Sequence, residues 1–195
     1  MHRRHLLLCA LASLAPRTTL AGPTPYRLGN GGATITYTFM LSGAPVQGTV
    51  PISQADLKVD PDNLAASTAI VRADVRRART GLIFATEALK SASVLDAATH
   101  PTAQFRSTRV QLGPSGRISD GATLDGDLTL RGVTRNVRFD AGLFRQRGSA
   151  AEDFSQLTVI LNGRVDRRDF GATGYADLVD NSVDIDITAE ISAAG

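Results

Sequence analysis

The chain holds a single cysteine, Cys9, no tryptophan, three histidines and only 5% aromatic residues. One cysteine excludes an internal disulfide and a thiolate metal cluster. Long apolar runs are also scarce. Met1-His2-Arg3-Arg4-His5 is a basic start and Leu6 to Ala15 an apolar run of ten residues, about half of the ~20 that a bilayer-spanning helix needs. Such a segment reads as a secretory signal peptide, with Thr19 and Ala21 as the small residues ahead of a cut after Ala21. This divides the chain into a signal peptide, 1–21, and one domain, 22–195. Arg3-Arg4 followed by Leu6-Leu7 suits the twin-arginine route as well as the general secretory one. The periplasm is the expected location.

Removing that leader takes Cys9, His2 and His5, and it takes Arg3, Arg4 and Arg17 from the 21 basic residues, leaving 18 against 19 acidic ones. The formal charge of +2 therefore belongs to the leader, and nucleic-acid binding, which wants a basic face with aromatic platforms, is not indicated. His100 remains, in the turn sequence Thr99-His100-Pro101. No Gly-x-Ser-x-Gly elbow accompanies it, so Ser-His-Asp chemistry has no frame. Without cysteine and with one histidine, only carboxylates are left for a metal, and Asp120, Asp125 and Asp127 lack EF-hand spacing. Asp169-Phe170-Gly171 matches a kinase magnesium triplet but stands without the glycine-rich and catalytic loops that give it meaning. The chain is expected to be no enzyme, with no metal and no resident cofactor.

What is abundant is alternation. From Leu124 to Phe144, Gly126, Leu128 and Leu130 alternate with Asp127, Thr129 and Arg131. Val137, Phe139, Ala141 and Leu143 then alternate with Arg138, Asp140 and Gly142. Successive strand side chains point to opposite faces, so each half offers one apolar face, and Gly132 to Asn136 is the expected hairpin link. The same period runs through Ala33 to Leu41, Ser67 to Val75, Thr102 to Leu112, Leu157 to Val165 and Ser182 to Ile191. Val46 to Leu57 is a weaker strand in which Pro51 argues for an edge or a bulge. Tyr26 to Leu28 is a short strand, followed by an Asn30-Gly31-Gly32 turn. Phe84 to Ser91 breaks the period and suits a short helix with Phe84, Ala88 and Leu89 on one side. About eight strands, one helix and no βαβ alternation predict an all-β antiparallel barrel or sandwich. Outward positions carry Arg, Asp and Thr rather than the lipid-facing bands and aromatic girdles of an outer-membrane barrel.

Arginines gather at strand ends: Arg72, Arg76, Arg77 and Arg79, then Arg131, Arg135 and Arg138, then Arg164, Arg167 and Arg168. Either they line a mouth and hold a phosphate or carboxylate, or they are solvated charges balanced by Asp74, Asp140, Asp166 and Asp169.

Three blocks, His-Pro-Thr-Ala-Gln-Phe-Arg-Ser-Thr at 100–108, Gly-Asp-Leu-Thr-Leu-Arg-Gly-Val-Thr-Arg-Asn-Val at 126–137 and Asp-Arg-Arg-Asp-Phe-Gly at 166–171, resemble the successive signatures of the YceI-like, polyisoprenoid-binding periplasmic proteins. The resemblance covers Tyr26 to Ile191. It departs at the helix, where the family's Arg-Asp-x-His-Leu pattern is replaced by Thr86-Glu87-Ala88-Leu89-Lys90-Ser91. It implies a lipocalin-like antiparallel β-barrel of about eight strands with one short helix, holding a lipid chain inside. On that reading the cavity wall is expected at Ile35, Tyr37, Phe39, Val71, Phe84, Leu89, Phe105, Leu128, Leu130, Val137, Phe139, Leu161, Phe170 and Ile185. Headgroup contacts are expected at Arg131, Arg135 and Arg168. Ala33, Ala69, Ala73, Ala103, Gly126, Ala141, Gly163 and Ala189 leave room on the apolar faces. The implied function is a periplasmic carrier of an isoprenoid-type or other long-chain amphiphilic lipid, such as a quinone or a polyprenyl phosphate. A ligand-free structural or interaction barrel of the cell envelope is the alternative. The implied partner is the lipid, with no nucleic acid; transient contact with the membrane or membrane redox proteins, and a homodimer, remain open associations.

Overall fold

A computed structural model describes residues 22–29, 33–116, 118 and 121–194. The expected signal peptide and the Asn30-Gly31-Gly32 turn lie outside the described residues. Ten strands and one helix follow in order: β1 (Thr24–Leu28), β2 (Thr34–Leu41), β3 (Ala44–Val59), β4 (Thr68–Asp74), β5 (Arg79–Thr80), α1 (Ile83–Lys90), β6 (Thr102–Gln111), β7 (Ala122–Leu130), β8 (Val133–Arg145), β9 (Gln156–Asp166) and β10 (Val179–Ala193). Single 3-10 turns span Leu64–Ala66, Val75–Arg77 and Arg167–Phe170.

β2, β3, β4, β6, β7, β8, β9 and β10 pair in that order, each pair antiparallel, and β10 pairs back onto β2. The sheet is thus a closed eight-stranded barrel, the size at which side chains nearly fill the interior or leave room for one slender ligand. One stave is made of two pieces. β2 pairs with β10 and β3 as far as Thr34, and β1 occupies the continuation, with Tyr26 opposite both Ala193 and Leu57. Pro51, which has no N–H to give, pairs with Thr34 beside that break, and the β3–β4 register shifts between Ile52 and Gln54.

The β7–β8 link is shorter than the sequence pattern predicts. β8 begins at Val133 and pairs with Leu130, leaving only Arg131 and Gly132 in the turn, at φ 51° and 73°. Two successive positive φ values define a type I′ turn, whose twist matches that of the flanking strands. Ser42 and Gly43 close the β2–β3 hairpin in the same way. β9 pairs with β8 only from Phe139 onward, so Val133 to Arg138 pair with β7 alone and are backed by the 3-10 turn Arg167–Phe170.

Two devices hold the wall in register. On the outside, Asp125 of β7 lies opposite Arg109 of β6 and Arg138 of β8. It accepts from Arg109 Nη2 at 2.8 Å and from Arg138 Nε at 2.6 Å. The carboxylate is little exposed, and hydrogen bonds from Arg138 first and Arg109 second hold its pKa down at about 2. On the inside, a Cβ at Gly126 would run into the Phe105 ring and the Arg106 carbonyl, and one at Gly163 into the Phe139 ring and the Arg138 carbonyl. The room those glycines leave is taken by the two rings, which meet edge to face at 5.5 Å and 81°.

Tyr26, Val59, Leu157 and Ile191 pack with Leu28, Leu57, Leu64 and Phe154 into a plug at one end of the barrel, and Tyr26 Oη donates to the Phe154 carbonyl at 2.6 Å. α1 lies at the opposite end, where the β2–β3 and β7–β8 hairpin turns also sit.

Two outcomes are expected. Gly126→Ala meets backbone as well as ring and destabilises the fold by about 1–3 kcal/mol in a urea titration. Asp125 has its folded pKa below its unfolded value of about 3.9. The clasp therefore contributes in full above about pH 4, and its contribution is lost as pH falls through about 2. The gap between the urea midpoints of the wild type and Asp125→Asn should accordingly be constant at neutral pH and shrink on acidification.

Candidate functional site: an apolar cavity with one open end

A cavity of about 450 Å³ runs along the barrel axis. Its wall follows from strand parity: Ile35, Tyr37 and Phe39 of β2, Val71 of β4, Phe105 of β6, Leu128 and Leu130 of β7, Phe139 of β8, Leu161 of β9 and Ile185 of β10 all line it. Phe84 and Leu89 of α1 and Phe170 of the last 3-10 turn join them. Val137 has the inward parity but stands on the part of β8 that β9 leaves unpaired, and it is not among the lining residues. Tyr37 Oη donates to the Arg79 carbonyl at 2.9 Å, and burial raises its pKa, so the phenol is a neutral part of the wall.

The plugged end is apolar through its interior. At the other end the wall opens between α1 and the segment from Ala172 to Leu178. Phe84, Tyr175 and Leu178 line the cavity and are exposed at the same time, so the lining continues out onto the surface. α1 begins without a side-chain cap on its free N–H groups. Instead Thr80 Oγ1 donates to the Leu82 carbonyl at 2.7 Å, and the Thr80 N–H donates to Thr86 Oγ1 at 2.9 Å. This brace fixes the corner that presents Phe84.

Below the rim sits Arg167, 6% exposed, whose side chain forms part of the cavity wall. It donates to four backbone carbonyls: Ala172 and Gly174 through Nη1, each at 2.7 Å, Asp180 through Nε at 3.0 Å and Val179 through Nη2 at 3.0 Å. Among the described residues no carboxylate lies within 4.0 Å of it. Desolvation lowers its pKa, against the pull of nearby Asp166. The hydrogen-bond partners of this buried guanidinium are thus neutral carbonyls, with no carboxylate in direct contact.

The three arginines singled out in the sequence stand elsewhere. Arg131 donates to the carbonyls of Gly171 and of Ala92, the latter at 2.8 Å, and stitches the hairpin tip to the segments around it, with its Nε buried and without an acceptor. Arg135 is exposed on the tip and donates to the Thr134 carbonyl at 3.0 Å. Arg168 is chelated outside the barrel by Asp166, with Nη2 to Oδ2 at 2.5 Å, and that hydrogen bond, followed by the one from the Arg168 N–H, holds Asp166 at about 2. None of the three is among the lining residues. His100, the turn histidine, lies 3.9 Å from Asp96 and covers Gly132. Val94, Leu95, Tyr175 and Leu178 also line the cavity without having been singled out, and Arg167, one of the strand-end arginines, lines it where Arg131, Arg135 and Arg168 do not. Val94, Leu95, Tyr175 and Leu178 sit in irregular segments where no period can point to a face.

A closed eight-stranded antiparallel barrel with an apolar axial cavity and one helix is a lipocalin-like fold. Residues 26–191 match the family model described as the YceI-like domain, and the chain belongs to that family. It is 25% identical over 186 residues to a UPF0312 protein of Vibrio cholerae, covering 90% of this chain and 95% of that one. Over 193 residues it is 28% identical to a UPF0312 protein of Enterobacter, covering 96% of each. Among solved structures, BcnA of Burkholderia cenocepacia superposes with a TM-score of 0.70 at 19% identity, over 84% of this chain and 99% of that one. A polyisoprenoid binding domain from Saccharophagus degradans superposes with a TM-score of 0.59 at 14% identity, over 88% and 99%. These likenesses extend the shared architecture over nearly the whole described chain.

Arg167→Leu leaves four carbonyls short of a donor and should lower stability by about 3 kcal/mol or more, measured by thermal or urea unfolding. Arg168→Leu, which removes only an exposed ion pair, should shift the unfolding midpoint far less than Arg167→Leu does.

Proposed function

We propose that the protein binds a long-chain amphiphilic lipid of the isoprenoid type, such as a quinone or a polyprenyl phosphate, with its tail in the barrel, and serves as a periplasmic carrier for it. The observation that carries this reading is the cavity itself, running along the axis with a predominantly apolar lining and open beside α1. Membership of the YceI-like family supports it, as does the fold shared with a polyisoprenoid binding domain. The basic, apolar N-terminal run supports the location. The polar end of the ligand is assigned to the rim, beside Arg167, with the tail directed at the Tyr26–Leu157 plug. A phosphate or a quinone carbonyl there would accept from a guanidinium that lacks a carboxylate.

Magnitudes set the size of ligand. An apolar cavity of roughly 150 Å³ takes one benzene. About 450 Å³ therefore takes roughly eighteen carbons, about three or four isoprene units. Burying a chain of about fifteen carbons gains about 12 kcal/mol at ~0.8 kcal/mol per carbon, against an association cost of about 4–15 kcal/mol. Chain length thus decides whether binding is weak or tight, and carbons beyond the cavity's capacity add little.

Calorimetry with a series of prenyl alcohols and phosphates should show affinity rising steeply from five carbons to about fifteen or twenty and then levelling off. Leu128→Arg, a charge on a lining residue of β7, should abolish uptake while the barrel still folds. Native mass spectrometry of protein from its source should show a co-purifying lipid. Repeated absence of lipid, together with no change in melting temperature on adding quinones, would return the barrel to a structural role.

A further inference from the structure

The rim is more apolar than a cavity mouth requires. Ile83, the first residue of α1, is 88% exposed and is not a lining residue, and Phe84 beside it is 66% exposed. Leu82 precedes them, and Tyr175 and Leu178 stand across the opening, all three exposed. A short helix that covers a barrel normally turns its large apolar residues inward; α1 buries Ala85 and leaves its isoleucine in water. Contiguous exposed apolar residues around an opening mark a docking surface.

Charge identifies what docks. From Val75 to Thr86 the chain carries Arg76, Arg77 and Arg79 and no carboxylate. Arg76 is paired with Asp74 at 3.0 Å, while Arg77 and Arg79 are exposed and make no ion pair among the described residues. Glu87 is tied to Lys90 at 3.7 Å, and Asp177 is the carboxylate of the facing rim. The helix side of the opening is therefore apolar at its tip and basic behind it, the pattern of surfaces that insert side chains into the headgroup region of an anionic bilayer. Because Phe84, Tyr175 and Leu178 belong to both patch and cavity, a lipid leaving such a surface would pass into the barrel without crossing water.

We propose that this rim docks the barrel mouth-down on an anionic phospholipid surface, with Ile83 and Phe84 inserted and Arg77 and Arg79 on the headgroups. The proposal rests on the lipid-binding reading for its purpose but is tested separately. The protein is centrifuged with vesicles of phosphatidylglycerol and phosphatidylcholine in equal parts, and with phosphatidylcholine alone. Wild type should sediment with the anionic vesicles and be released by high salt. Ile83→Asp should weaken that partition about tenfold or more with its melting temperature unchanged, and Arg77→Gln with Arg79→Gln should reduce it about tenfold on anionic vesicles only.

Wild type that stays in the supernatant, or binding that Ile83→Asp leaves intact, overturns the proposal. A concentration-dependent dimer in sedimentation velocity that Ile83→Asp dissolves, with no vesicle binding, gives the patch to a second copy and also overturns it. Uptake of farnesol from detergent micelles reads the cavity alone and should be unchanged in Ile83→Asp. Uptake that fails while vesicle binding persists removes the cargo and keeps the docking surface; the reverse result keeps the cargo and removes the docking surface.

Discussion

Closure of the sheet by β10 is the constraint on which the rest of the structure depends. That strand pairs with β9 from Ser182 to Ser192 on one edge and with β2 and then β1 on the other. Once it is in place, inside and outside are set by parity. A slip of one residue would turn Val183, Ile185 and Ile187 into solvent and bring Asp184 and Asp186 into the barrel, so the register is strongly specified. The cavity follows from the same closure, because eight strands enclose more space than the side chains facing it occupy. The Tyr26–Leu157 plug fills one end, and the wall residues leave the rest empty.

The two ends of that space are built on different principles. The plugged end is a small hydrophobic core stabilised by area. The open end is organised by guanidinium groups on backbone carbonyls: Arg167 gathers four carbonyls around itself, and Arg131 ties the β7–β8 tip to Gly171 and Ala92. Loop carbonyls that would otherwise be buried without donors are satisfied by long side chains rather than by more secondary structure. The rim is thus rigid where it needs support and apolar where it meets the opening.

Much of this was legible from the sequence, for a physical reason: a strand buried on one face writes a period of two, and Ile35, Tyr37, Phe39, Phe105, Leu128 and Ile185 all obey it. What the pattern could not carry is pairing. Val137 alternates correctly, but the β8–β9 pairing ends at Phe139, so Val137 has a strand beside it on one edge only. Arg167 and Arg168 are neighbours at the point where β9 gives way to a 3-10 turn, and only the backbone decides which goes in. The hairpin turn was hidden because arginine rarely takes positive φ; Arg131 does so while both ends of its guanidinium are fastened. Gly126 and Gly163 read as empty space, yet two rings lie over them.

The divided stave has a consequence for the order in which the molecule comes into being. β1 and β2 find half of their partners in β3, soon after them in the chain, and the other half in β10, the last strand. Until β10 is present, the first and penultimate staves remain free edges and the interior is a groove open to water. Joining the two termini spans nearly the whole chain, a high-contact-order step of the kind that is slow and comes late. A growing or partly folded chain therefore has no enclosed cavity, and that space comes into being with the last strand.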